Sequence, residues 1–114
     1  MNHLFEKHLL QKEIFDSFLI QLHKDFEMAG LQAEFVFVLP PNYTQLKEEL
    51  RLNLSKAFKN SSESLANLLY RVDVSENPLK ENADTTNDFY DALAETIIKR
   101  VLQKVILKKQ FSTK

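Results

Sequence analysis

Cysteine is absent from this chain of 114 residues, and glycine occurs only once, as Gly30. Without cysteine, a thiolate nucleophile, an iron–sulfur cluster and a cysteine-ligated zinc site are excluded. A domain of average composition and this length would contain about eight glycines. The phosphate-binding loop, the dinucleotide-binding fingerprint and the nucleophile elbow each need at least two glycines, so the enzyme classes built on these motifs are excluded as well.

Charge and composition are those of an ordinary globular domain. Fifteen basic and sixteen acidic residues give a net charge of −1, and apolar residues make up 44% of the chain. This balance argues against the overall positive field of a protein that coats nucleic acid. No apolar run approaches the roughly eighteen residues of a membrane span, and the N-terminus lacks a signal-peptide pattern. We expect one domain over residues 1–114, located in the cytoplasm, with no bound cofactor.

Hydrophobic periodicity predicts a mainly α fold. Apolar residues recur at helical spacing in three long segments, residues 2–29, 42–59 and 86–109, and in a shorter one, residues 62–69. Gly30 follows the first segment at the position of a left-handed C-terminal cap. Asn42 and Gln45 have the spacing of a capping box at the start of the second. The sequence therefore predicts about three long amphipathic helices plus one short helix.

Two segments leave an α+β fold as the alternative. The run from Ala33 to Leu39 is rich in β-branched and aromatic residues and is followed by two prolines, which favours a short buried strand. Residues 70–74 alternate apolar and charged side chains, which suits either a half-exposed strand or one more helical turn. A polar segment with Pro78, residues 75–87, is predicted to be a loop.

The basic C-terminal stretch is the first candidate site. Its cationic residues are Lys99, Arg100, Lys104, Lys108 and Lys109. They could contact phosphate or another anionic surface. They also complement the dipole at the C-terminal end of an amphipathic helix, along which lysine stems can lie. Since the helical net does not place them on one ridge, we favour the structural interpretation.

Other polar groups suggest catalysis or metal binding only weakly. Asp16, His23 and Glu27 share a helix face, but Glu-x-x-His pairs, which are typical of metal sites in helical bundles, are absent from the chain. His8 falls in an apolar stripe, where we expect it to be partly buried and hydrogen-bonded. Three acids at the start of the last helix suit the helix dipole; they are Asp88, Asp91 and Glu95. We predict no catalytic residue and no metal ligand.

The first and last helices have apolar faces broader than a single core requires. Excess apolar surface is expected at Leu9, Ile20, Ile106 and Leu107. We therefore predict a non-enzymatic protein-interaction or self-associating module, whose partner is a second copy or another protein. Two alternatives remain open. One is a nucleic-acid-associated protein that uses the basic C-terminal helix, and the other is a small enzyme with a pocket of carboxylate, histidine and lysine groups.

Overall fold

The computed structural model describes residues 7–72 and 87–112, and within these ranges it contains helices and no strand. The elements in chain order are α1 (Lys12–Met28), a 3-10 helix (Glu34–Val38), α2 (Tyr43–Asn60), α3 (Ser62–Arg71) and α4 (Asn87–Ser112). Residues 7–9 are also helical. The predicted mainly α fold is confirmed, and the α+β alternative is not supported.

A turn interrupts the first predicted helix before α1 begins. The backbone N–H of Leu10 donates to the Lys7 carbonyl, and that of Gln11 donates to the His8 carbonyl. The turn directs Leu9 into the core and leaves Leu10 exposed. The predicted N-terminal boundary was therefore too early for a continuous helix, and residues 2–6 of that prediction lie outside the described residues.

Gly30 closes α1, as predicted. Its φ angle is +87°, and its N–H donates to the Glu27 carbonyl while the Leu31 N–H donates to the Phe26 carbonyl. These two bonds form a Schellman closure, which satisfies carbonyls that the helix leaves without partners. The left-handed conformation is the reason that this position needs glycine.

The predicted strand from Ala33 to Leu39 is wrong, because these residues form the turn of 3-10 helix. Side chains three residues apart point the same way in a 3-10 helix. Ala33, Val36 and Leu39 are accordingly all buried. The other apolar residues of the run point in two other directions. The run therefore has the three sides of a 3-10 helix and not the two faces of a strand.

Two polar side chains fix the ends of the following helices. Asn42 Oδ1 accepts the Gln45 N–H at 3.0 Å and caps α2, which confirms the predicted cap. Ser61 Oγ accepts the Ser64 N–H at 3.2 Å and caps α3. Because α3 continues through residue 71, the strand interpretation is wrong for residues 70 and 71. Residues 73–74, and residues 75–86 of the predicted loop, lie outside the described residues.

The core lies between α4 and the other helices, mainly α2 and α1. α1 and α4 run antiparallel, because Lys104 lies against Asp25 while Lys109 lies against Glu13. The predicted apolar face of α4 is buried through Tyr90, Leu93, Ala94, Ile97, Ile98, Val101, Leu102 and Val105. Among the described residues, no helix combines the length and apolar character that crossing a bilayer requires.

The Schellman closure predicts that Gly30→Ala destabilises the fold. An L-residue in the left-handed region costs about 1–2 kcal/mol, and the added Cβ would lie 3.3 Å from Ser64 Oγ. Urea denaturation should therefore show a lower free energy of unfolding. Lys24→Ala, on the exposed face of α1, is the control and should change it by less than about 0.5 kcal/mol. An unchanged Gly30→Ala variant would contradict the closure.

Candidate functional site: an exposed apolar patch and a buried ion cluster

Asp25 of α1 is fully buried, and it is the one charged residue in the buried class within the described ranges. Its Oδ1 accepts hydrogen bonds from Arg71 Nη2 at 3.2 Å and from Gln21 Nε2 at 3.1 Å. Its Oδ2 accepts one from Lys104 Nζ at 3.0 Å. One carboxylate thus joins side chains from α1, α3 and α4.

This ion pair has a structural explanation. A buried carboxylate is tolerated only when charged partners and hydrogen bonds compensate for the lost water. Arg71 and Lys104 provide both, and each remains partly exposed to solvent. The sequence prediction missed Asp25, although it lies in the stripe of Leu22 and Phe26. An ionisable residue among such neighbours is the signal that could have identified it.

The basic residues of α4 lie where they can pair with nearby side chains. Lys99 contacts Glu95 at 3.1 Å, Lys108 donates to Gln21 Oε1 at 3.3 Å, and Lys109 lies 3.9 Å from Glu13. Lys104 belongs to the Asp25 ion pair. Arg100 is exposed. This arrangement favours the structural interpretation of the cations over a continuous strip for phosphate.

The predicted interface residues separate into two groups. Leu9 is fully buried in the core, so its predicted exposure was wrong; the turn at residues 10–11 directs it inward. Ile106 is partly buried and packs against the core. Ile20 and Leu107 are 62% and 51% exposed. Among the described residues, six further large apolar side chains are exposed although the sequence analysis did not select them, namely Leu10, Met28, Phe37, Val38, Leu52 and Tyr70.

Phe37 and Val38 are exposed apolar residues on two adjacent sides of the end of the 3-10 helix. The Phe37 ring stacks on His23 of α1, with ring centroids 4.5 Å apart and an interplanar angle of 27°. Phe37 remains 53% exposed and Val38 81% exposed. Ile20 lies one turn before His23 on α1, where residues three apart are neighbours. We call Ile20, Phe37 and Val38 the 3-10 patch.

His23 and Asp16, two of the three candidate metal ligands on α1, have other contacts. His23 stacks on Phe37, and Asp16 accepts a hydrogen bond from Lys12 at 2.8 Å. That bond raises the pKa of the Lys12 ammonium above its ordinary value. Within the described residues, no group of three or more acids or histidines is placed to hold a metal ion.

The two candidate acid–base residues whose side chains are described, Asp91 and Glu95, each pair with a lysine. Asp91 accepts from Lys47 at 3.3 Å and links α4 to α2, while Glu95 pairs with Lys99. The Asp88 side chain lies outside the described residues. His8 is half-buried, but its Nδ1 has no hydrogen-bond partner in the described part of the chain, contrary to the expected bond.

Two depressions lie along α2, on either side of Phe35. The wider has a volume of about 570 Å³ and lies between the end of the 3-10 helix and the first turns of α2. The narrower, about 220 Å³, lies between Gly30–Gln32 and the last turns of α2. We call the two together the α2 groove. The ionisable residues that line it are Glu48, Glu49 and Lys56.

The contacts of Asp25 with Arg71 and Lys104 predict that removing the two cations and removing all three charges change the free energy of unfolding very differently. Arg71→Met with Lys104→Met leaves a buried carboxylate without a counter-charge and should lower the free energy of unfolding by about 3–5 kcal/mol. Adding Asp25→Val should restore most of that loss, because an apolar cluster needs no compensation. Urea denaturation measures both.

A matched control is Lys99→Met, which removes a lysine from the same helix but breaks only its pair with Glu95. Such pairs contribute about 0.2–1 kcal/mol, so this variant should remain close to wild type. If the triple variant were no more stable than the double variant, the charge on Asp25 would not be the source of the loss.

The function of this chain has to be inferred from its surface, because no known protein family, curated protein or solved structure matches it. Two surface features of the described residues, the 3-10 patch and the α2 groove, both involve the 3-10 helix. Function is therefore inferred from these side chains and their surroundings.

Proposed function

We propose that this protein is a non-enzymatic interaction module that contacts its partner through the 3-10 patch. The observation that carries the proposal is the exposure of Phe37 and Val38 on a helical turn whose third side, Val36, is fully buried. The buried side anchors the turn to the core. The exposed side chains are thereby held at a fixed position on the surface.

Fixed apolar side chains on a surface are suited to binding another protein. Contiguous exposed apolar patches on soluble proteins commonly mark interaction sites. Aromatic residues dominate the energetics of such interfaces, because a ring buries a large area with few rotatable bonds. Phe37 is partly ordered already by stacking on His23 at 4.5 Å, so binding would cost it less side-chain entropy.

A second copy of the chain is the first partner to test. Closed homodimers are the commonest soluble assemblies, and their interfaces use the same patch on both subunits. The exposed side chains of Ile20, Phe37 and Val38 would supply the apolar contacts of such self-pairing, with Ile20 62% exposed. A cytoplasmic location is part of the proposal and rests on composition alone.

The other two hypotheses receive less support. A nucleic-acid surface would need cations directed to solvent, whereas Lys104 is held by the buried Asp25. An enzyme would need proton-transfer groups facing one another in a pocket. In the wider depression the ionisable lining residues are two carboxylates, and Arg51 donates to Glu48, holding the pKa of that carboxyl below its usual range. Glu48 is thus ionised at neutral pH and is a poor proton donor.

Replacing Phe37 and Val38 by serine tests the proposal. Sedimentation across a wide range of concentrations should show self-association of the wild type that the double variant loses. Since both side chains are largely exposed, the free energy of unfolding should change little. Tyr70→Ser, which removes another exposed aromatic residue on α3, is the matched control and should keep the wild-type mass.

A monomeric wild type would redirect the test to a different protein. A photo-reactive amino acid at position 38 should then give one discrete cross-linked product in the cells that make the protein. Ile20→Ser with Phe37→Ser should abolish that product, and Tyr70→Ser should not. A monomer that gives no such product would contradict the proposed function.

A further inference from the structure

The α2 groove has the dimensions of a binding site for an extended peptide. The α2 residues that line its two depressions extend from Thr44 to Asn60, which at 1.5 Å per residue is about 24 Å. An extended chain rises about 3.3 Å per residue, so about seven residues would fill that length. Phe35 lines both depressions and divides the groove into two compartments.

The compartments differ in size and in chemistry. The wider one, about 570 Å³, has an apolar wall formed by Val38, Leu39 and Pro40. That volume accepts a large aromatic or aliphatic side chain. The narrower one, about 220 Å³, is lined by Asn53, Ala57 and Asn60 of α2 together with the apolar residues Phe26, Leu31 and Phe35.

Charge along the groove is also unequal. Glu48 and Glu49 lie at the wide compartment, and Lys56 lies at the narrow one. Arg51 donates to Glu48, so the charge of the Glu48 carboxylate is already compensated by a guanidinium. Glu49 is exposed and carries the negative charge at this end of the groove. A ligand with a cation here would be steered and oriented by Glu49.

We propose that the α2 groove binds a linear peptide segment of another protein, with a large apolar residue next to a lysine or arginine. The large side chain enters the wide compartment, and its basic neighbour meets Glu49, beside the Glu48–Arg51 pair. Beyond Phe35, a smaller residue enters the narrow compartment, where the peptide backbone can bond to Asn53 and Asn60. The inference rests on the proposed interaction function and names the chemistry of the partner.

A displayed library of random peptides about seven residues long tests this proposal on the intact protein. Selection on the wild type should enrich sequences that pair a basic residue with a large apolar one. The enriched peptide, synthesised with a fluorescent label, should bind Glu49→Lys about tenfold more weakly by fluorescence polarisation. Exchanging its basic residue for glutamate should reverse that preference.

Glu63→Lys is the matched control, because it makes the same charge change on the exposed start of α3, outside the groove. Its affinity for the labelled peptide should stay within about twofold of wild type. The reversal of charge preference separates a contact from mere damage to the fold, since a destabilised protein would not gain affinity for the acidic peptide.

The outcomes that overturn the inference are distinct from those that overturn the proposed function. A library without enriched sequences, or a peptide insensitive to Glu49→Lys, rejects the groove as a peptide site. A wild-type dimer that Glu49→Lys dissociates, with no peptide selected, assigns the groove to a second copy instead. Because Val38 also lines the wide compartment, the proposed function is judged on Ile20→Ser with Phe37→Ser, two residues outside the groove lining. Either result leaves the proposed function standing if that variant loses association.

Discussion

The carboxylate of Asp25 constrains how the helices can be arranged. It is fully buried, so the fold must bring it compensating charges. Arg71 and Lys104 reach it from α3 and α4, across 46 and 79 positions of sequence. Close packing of the apolar side chains already resists sliding of the helices, and the buried carboxylate adds an electrostatic constraint. A shift that separated this carboxylate from both cations would leave a buried charge, so the helix register is tied to one residue.

The helices could be predicted from the sequence because several local signals agreed on where they lie. Apolar spacing, the Asn42 cap and the left-handed Gly30 each report on the nearby backbone, and the structure contains all three. The strand predicted over residues 33–39 failed for a physical reason. Apolar and β-branched residues in a short run show that side chains need cover, but they do not show whether a partner strand exists to supply it.

The candidate surfaces were less accessible because exposure depends on contacts between distant residues. Periodicity placed Leu9 on an outer helix face, but the turn at residues 10–11 directs it inward. Ile20 was identified because it lies opposite the apolar stripe of its own helix. Phe37 and Val38 were assigned to a buried strand. Their exposure follows from the threefold spacing of the 3-10 helix, in which Val36 occupies the one side that faces the core.

The short connection between α2 and α3 holds one end of the α2 groove in place before any ligand binds. Ser61 is the single residue between the helices; its N–H donates to Ala57, and its Oγ accepts from Ser64. A connection this short has few conformations to lose on folding or on binding. Because Asn60 and Ser61 also line the narrow compartment, that end of the groove is held by a rigid corner. A ligand that binds there would not have to order this part of the backbone. Its binding free energy would therefore not be reduced by a loss of backbone conformational entropy at that end.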